Sequence, residues 1–145
     1  MKKKDSRPSH NLPRGLRNNN PLNIRKGNSL WQGVRKDGDD PDFLQFVSRA
    51  WGYRAAFVLL RTYICRHGVC TPQSIIKRWA PAADGNQPEE YLNRVLLLSG
   101  LKADEKLHST NRQQMTTLVE AMSRVENGVP AVKEEVAEGW ALYMG

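Results

Sequence analysis

Acidic side chains are nearly missing from the front of this 145-residue chain: up to Lys36 there is one, Asp5, against ten Lys and Arg. From Asp37 onward the balance reverses, with fourteen acidic residues facing twelve basic ones. The formal charge of +7 therefore belongs to the tail and first loop. Such a front end suits a nucleic acid, an anionic polymer such as a cell wall, or a plain solubilising arm. Long apolar runs are lacking too. The longest, such as Ala55-Ala-Phe-Val-Leu-Leu60, fall far short of a bilayer span, so no membrane span is expected. Lys2, Lys3 and Lys4 lead into polar residues, so no signal peptide is visible. Cysteine is scarce. Cys65 and Cys70 flank His67, three candidates where a structural zinc wants four ligands, which leaves reduced thiols or a local disulfide. With no Gly-rich phosphate loop, heptad pattern or internal repeat, neither a metal nor a cofactor is expected.

A hydrophobic content of 39% with 26% charged residues fits a folded protein rather than a disordered one. The length predicts one domain over residues 14–145 behind a disordered basic tail at 1–13. The pattern predicts a mostly α fold of about five helices with at most a small β-hairpin. Ser48 caps a helix from Arg49 to Arg66 that Gly68 closes, with Ala55, Leu59 and Tyr63 toward the core. Thr71-Pro72 starts a second, buried on Ile75, Ile76 and Trp79. Pro88 opens a third, Glu89 to Ser99, ended by Gly100. A fourth fits Arg112 to Val125, with Met115, Leu118, Val119 and Met122 inward and Asn127-Gly128 as its stop. The last runs from about Pro130 to Tyr143. Leu30-Trp-Gln-Gly-Val34 reads as a short strand.

Two regions could carry chemistry. Arg14-Gly-Leu-Arg-Asn-Asn-Asn-Pro-Leu-Asn-Ile-Arg-Lys-Gly27 reads as a rigid polar loop, because Asn bonds its own backbone and Pro21 restricts its neighbour. Such loops more often hold a ligand than a core. Glu126 stands in the last turn of a predicted helix, where the negative dipole end disfavours the anion and should raise its pKa, as a general acid requires. An ordinary surface glutamate before a glycine cap is the competing reading. Asp37, Asp39, Asp40 and Asp42 crowd one turn without the closing Glu of a calcium loop. Most should be solvated turn formers, with Asp42, before Phe43, the candidate for a second carboxylate. Trp51, Trp79 and Trp140 fall on predicted helices and read as core. Trp31 could equally pack or stack on a sugar or base.

Together these residues resemble a phage virion or structural protein family with the pattern R-G-[IL]-R-N-N-N-P-x-N-I-R, followed by W-x-G, D-x-x-F-x-x-F, G-[IY]-R-A, I-I-x-R-W-A-P and E-N-G. The chain carries Arg14 to Arg25 in that pattern, then Trp31-Gln-Gly33, Phe43-Leu-Gln-Phe46, Gly52-Tyr-Arg-Ala55, Ile75-Ile-Lys-Arg-Trp-Ala-Pro81 and Glu126-Asn-Gly128. Leu22 replaces the usual Gly, and Val125 a frequent His. The same pieces are more loosely similar to lysozyme-like peptidoglycan hydrolases, with the Glu-Asn-Gly element moved behind the Asn element. That resemblance implies a circularly permuted lysozyme-like domain; permutation is permitted where termini lie close. It implies Glu126 as the acid that protonates the glycosidic oxygen. Asn18, Asn19, Asn20 and Asn23 would orient sugar N-acetyl groups or the Glu, and Trp31 or Tyr91 would line the groove.

The expected partners are peptidoglycan and other virion proteins, and the expected location is the virion, or the bacterial cytoplasm before assembly. A peptidoglycan glycosidase or lytic transglycosylase with one general-acid Glu is the first reading. A non-catalytic virion structural or wall-binding module is the second. A small basic nucleic-acid binder ranks behind both, so nucleic acid is not an expected partner.

Overall fold

The structure, a computed structural model, describes residues 11–81 and 85–145. Most of the expected tail and the centre of the 81–88 turn lie outside those residues. Among the described residues there are six helices and no strand: α1 (Arg14–Arg17), α2 (Arg49–Arg66), α3 (Pro72–Trp79), α4 (Pro88–Ser99), α5 (Arg112–Asn127) and α6 (Lys133–Met144). The fold is mostly α, as expected, with one helical turn more. No described helix is long and apolar enough to cross a membrane.

Local chemistry sets most of the ends. Ser48 accepts from the Trp51 backbone N–H to start α2. Thr71 and Ser74 satisfy each other's backbone N–H in a capping box at α3. Gly100 and Gly128 adopt left-handed φ of 75° and 74° to end α4 and α5. α6 starts three residues later than Pro130, at a Val132 cap whose side chain offers no hydrogen bond.

α2 is buried on two sides. Tyr53, Phe57 and Leu60 join Ile75, Ile76, Val95, Met115, Leu118, Met122, Val136 and Trp140 in the main core. Ala55 instead meets Ile24, Leu44 and Phe46 in a smaller cluster beneath residues 22–46. Leu22 reaches into the main core and is 1% exposed. The expected Leu30–Val34 strand is absent. Two isolated antiparallel bridges, Arg25 with Phe43 and Val34 with Phe46, replace it, and Leu30 is fully exposed. Asn20 fastens the two neighbouring segments, its amide nitrogen donating to the carbonyls of Ile24 and Leu44, while the Leu44 N–H donates to the Ile24 carbonyl at 3.0 Å.

Candidate functional site

The Asn loop begins with one helical turn, α1, rather than irregular chain. Gly15 lets that turn approach closely: a Cβ there would lie 2.7 Å from Asn127 Oδ1 and 3.0 Å from Asn23 Oδ1 and the Asn20 carbonyl. The chain then reverses through Asn19 (φ 51°) and Asn23 (φ 54°), left-handed geometry that Asn tolerates better than most residues. The loop rests on α2 at Gly52, where a Cβ would collide with the Asn19 carbonyl.

Three of the four asparagines are used to build the loop. Asn18 Nδ2 donates to Asp40 Oδ2 at 2.8 Å, and its Oδ1 accepts from Gln45 at 3.0 Å. Asn19 Nδ2 donates to the Phe46 carbonyl, and Asn20, fully buried, also accepts from the Ile24 N–H. Asn18 and Asn20 therefore have no surface to offer a sugar. Asn23 is different. Its Nδ2 donates to Glu126 Oε1 at 2.9 Å, across 103 residues of chain.

Glu126 sits one residue before the end of α5, and its second oxygen, Oε2, accepts from the Tyr91 hydroxyl at 2.8 Å. Burial pushes the Tyr91 phenol well above its ordinary value, and the nearby Glu126 charge adds to this, so Tyr91 stays a proton donor through neutral pH. Tyr91 thus contacts the carboxylate instead of lining the groove. Next door, Asn127 Nδ2 donates to the Pro21 carbonyl at 2.8 Å and to the Ser123 carbonyl at 2.9 Å. Ser123 in turn meets the Tyr53 hydroxyl at 3.0 Å, and burial pushes Tyr53 up to about 12. Asn127, Ser123, Tyr53 and Gly15 thus fix the site; Gly15, Tyr53 and Asn127 stand within the motifs quoted above without a role assigned to them, and nothing in the sequence marks Ser123.

The acidic turn is organised around Asp40 rather than Asp42. Asp40 is 8% exposed and takes two bonds from Arg14 (2.7 and 2.6 Å), one from Asn18, and the backbone N–H groups of Asp42 and Phe43. The Arg14 guanidinium holds its carboxyl well below the usual carboxylate range. The missed signal was Asp-Pro-Asp, in which the first Asp bonds backbone two and three residues on. Asp42 is exposed, pairs with Arg14 at 3.2 Å, and takes no part in the hydrogen bonds around Glu126.

A cleft of about 370 Å³ opens beside this cluster, with Asn23 common to both. Trp31, Trp79, Leu59 and Tyr63 form its apolar lining and Arg25 and Arg78 its charged one. Leu59, Tyr63 and Trp79 pack partly buried against the two core clusters, as helical spacing predicts, and also border the cleft. Among the described residues no group of three His, Cys, Asp or Glu could hold a metal ion, and Cys65 and Cys70 are free thiols.

No family model matches the chain. A curated phage protein, Protein P5 of Pseudoalteromonas phage PM2, is 38% identical to it over 136 residues, covering 90% of this chain and 82% of the relative.

Proposed function

The chain belongs to the family of phage Protein P5, and from that premise we propose that it is a virion-associated protein whose lysozyme-like, circularly permuted domain, residues 14–145, binds and cleaves peptidoglycan glycan strands. The observation that carries this reading is the Glu126 carboxylate, clamped by Asn23 and Tyr91 at the edge of a tryptophan-lined cleft. Two fixed donors hold the Glu126 carboxyl in one orientation, and fixed positioning of a reacting group is a large part of catalysis. Glu126 gives its proton to the glycosidic oxygen as the bond to the anomeric carbon breaks. The resulting carboxylate then takes a proton from the attacking nucleophile, either water or a hydroxyl of the sugar itself. Asp42, the sequence candidate for a second carboxylate, is engaged with Arg14; the single-Glu scheme, in which the sugar's own group attacks, suits this arrangement. Trp31 stacks on a sugar ring in the cleft, and Asn18, Asn19 and Asn20 act by shaping the loop.

Replacing Glu126 with Gln tests the assignment. The variant should fold like wild type by circular dichroism and lose at least about 100-fold in peptidoglycan clearance, the scale of lost acid–base catalysis. Full clearance by the variant ends the proposal. A second reading, a non-catalytic virion structural or wall-binding module, draws on one observation: both Glu126 oxygens are already bonded internally, as in a purely structural carboxylate. Wall binding by wild-type protein with no release of soluble sugar ends would favour it.

A further inference from the structure

We infer that the cleft beside Asn23 is a subsite for an acidic sugar: a pyranose ring packs on Trp31 and Trp79, and a carboxylate it carries is held by Arg25 and Arg78. The inference rests on the glycan reading above and names the kind of glycan.

Among the described residues, the cleft lining is charged with one sign. Arg25 and Arg78 line it, no acidic residue does among the described residues, and neither arginine pairs with a described carboxylate. Both are exposed at the cleft wall, so an anion can reach them without displacing the fold. Arg25 is held in place: its guanidinium lies 5.0 Å from the centre of the Phe43 ring, and its backbone forms an antiparallel bridge with Phe43. Arg78 is close enough to the Tyr63 hydroxyl for its charge to oppose the upward push that burial gives that phenol. Tyr63 meets Trp79 edge to face at 6.2 Å, which fixes the plane of the indole. An aromatic surface with two planar guanidinium groups matches a ring bearing a carboxylate, because guanidinium binds carboxylate through paired hydrogen bonds. A cleft of about 370 Å³ falls within the range of small-ligand sites, about 300–1,000 Å³. Asn23, which also holds Glu126, lines the same cleft, so a glycan seated there runs toward the acid.

The consequence is selectivity for a glycan with carboxylate-bearing sugars over a neutral polymer of N-acetylglucosamine. Binding is measured with the Glu126→Gln protein, which removes turnover, by tryptophan fluorescence. The probes are peptide-free peptidoglycan glycan fragments, whose sugars keep a free carboxylate, the same fragments with those carboxylates amidated, N-acetylglucosamine oligomers of equal length, and a single-stranded oligonucleotide. The acidic fragments should bind roughly tenfold or more tighter than the amidated ones, the scale of one charge-assisted contact. Adding Arg25→Gln and Arg78→Gln should erase that difference and leave the neutral oligomers unchanged, while Arg→Lys at both positions should keep part of it. Equal affinity for acidic and amidated fragments overturns the inference, as does tighter binding of the oligonucleotide. Cleavage by wild type without charge discrimination removes the subsite and leaves the proposed activity. Charge discrimination without cleavage does the reverse.

Discussion

Adding one methyl group at Gly15 tests whether close packing of α1 holds the site in place. A Cβ there would sit 2.7 Å from Asn127 Oδ1 and 3.0 Å from both Asn23 Oδ1 and the Asn20 carbonyl. The first two are side-chain ends and can retreat; the Asn20 carbonyl is backbone and accepts from the Asn23 N–H, so it cannot. Asn127 would have to give up its 2.8 Å bond to Pro21, and Asn23 its 2.9 Å bond to Glu126. Overpacking costs about 1–3 kcal/mol, the lost neutral hydrogen bond about 0.5–1.5 kcal/mol and the lost bond to the carboxylate about 1.5–3 kcal/mol. Replacing Gly by Ala in a helix returns about 0.5–1 kcal/mol. Gly15→Ala should therefore lower the unfolding free energy by about 4 kcal/mol, read from urea titrations. It should also cut peptidoglycan clearance out of proportion to that loss, because folded molecules carry a displaced Asn23. Asn23→Ala provides the control, with a similar activity loss and a smaller stability loss. A Gly15→Ala protein as stable and as active as wild type would refute the reasoning.

Three further variants have expected outcomes. Tyr91→Phe keeps the ring but removes the donor to Glu126, a charge-assisted bond worth about 1.5–3 kcal/mol; clearance should fall at least about tenfold with the far-ultraviolet spectrum unchanged. The same variant should flatten the alkaline stability profile. A phenol raised in the folded state contributes stability that is complete below its unfolded value of about 10 and is lost as pH rises through the folded value, with Tyr53 supplying the part that remains. Asp40 works in the opposite direction: its lowered carboxyl contributes stability that is complete above an unfolded value of about 3.9 and falls away as pH drops toward the folded one. Asp40→Asn should remove that acid dependence and cost about 2 kcal/mol at neutral pH, measured by denaturant titration from neutral to strongly acidic pH. Gly52→Ala places a methyl on the Asn19 carbonyl, which is backbone and cannot yield. It should cost about 3 kcal/mol and expose the loop to limited proteolysis.

The helices were legible in the sequence where a local device marks them. Ser48, the Thr71–Ser74 pair, Gly100 and Gly128 each act on backbone within four residues, so their effect is written in adjacent letters. α1 was not legible, because Pro13 offers no capping side chain and the turn is one of four residues. The site divides along the same line. Glu126 and the Asn loop stand out as types in unusual places, but which asparagine meets the acid depends on left-handed turns at Asn19 and Asn23 and on how the loop lies against Gly52. Trp79 shows the same limit: periodicity identifies the face it occupies, while the cleft on that face is made by residues 23–31, about fifty positions away.

The bonds from Asn23 to Glu126 and from Asn127 to Pro21 join positions 103 and 106 residues apart, and that distance is also a delay. A ribosome finishes the aromatic cleft, its arginines and the whole Asn loop long before it reaches α5. Until then Asn23 has no acid to hold, and the Pro21 carbonyl waits for a donor that has not been made. Closing so long a loop slows folding far more than it weakens the finished state. In the proposed activity, a chain therefore has no acid with which to cut glycan until α5 has been made and docked on the loop.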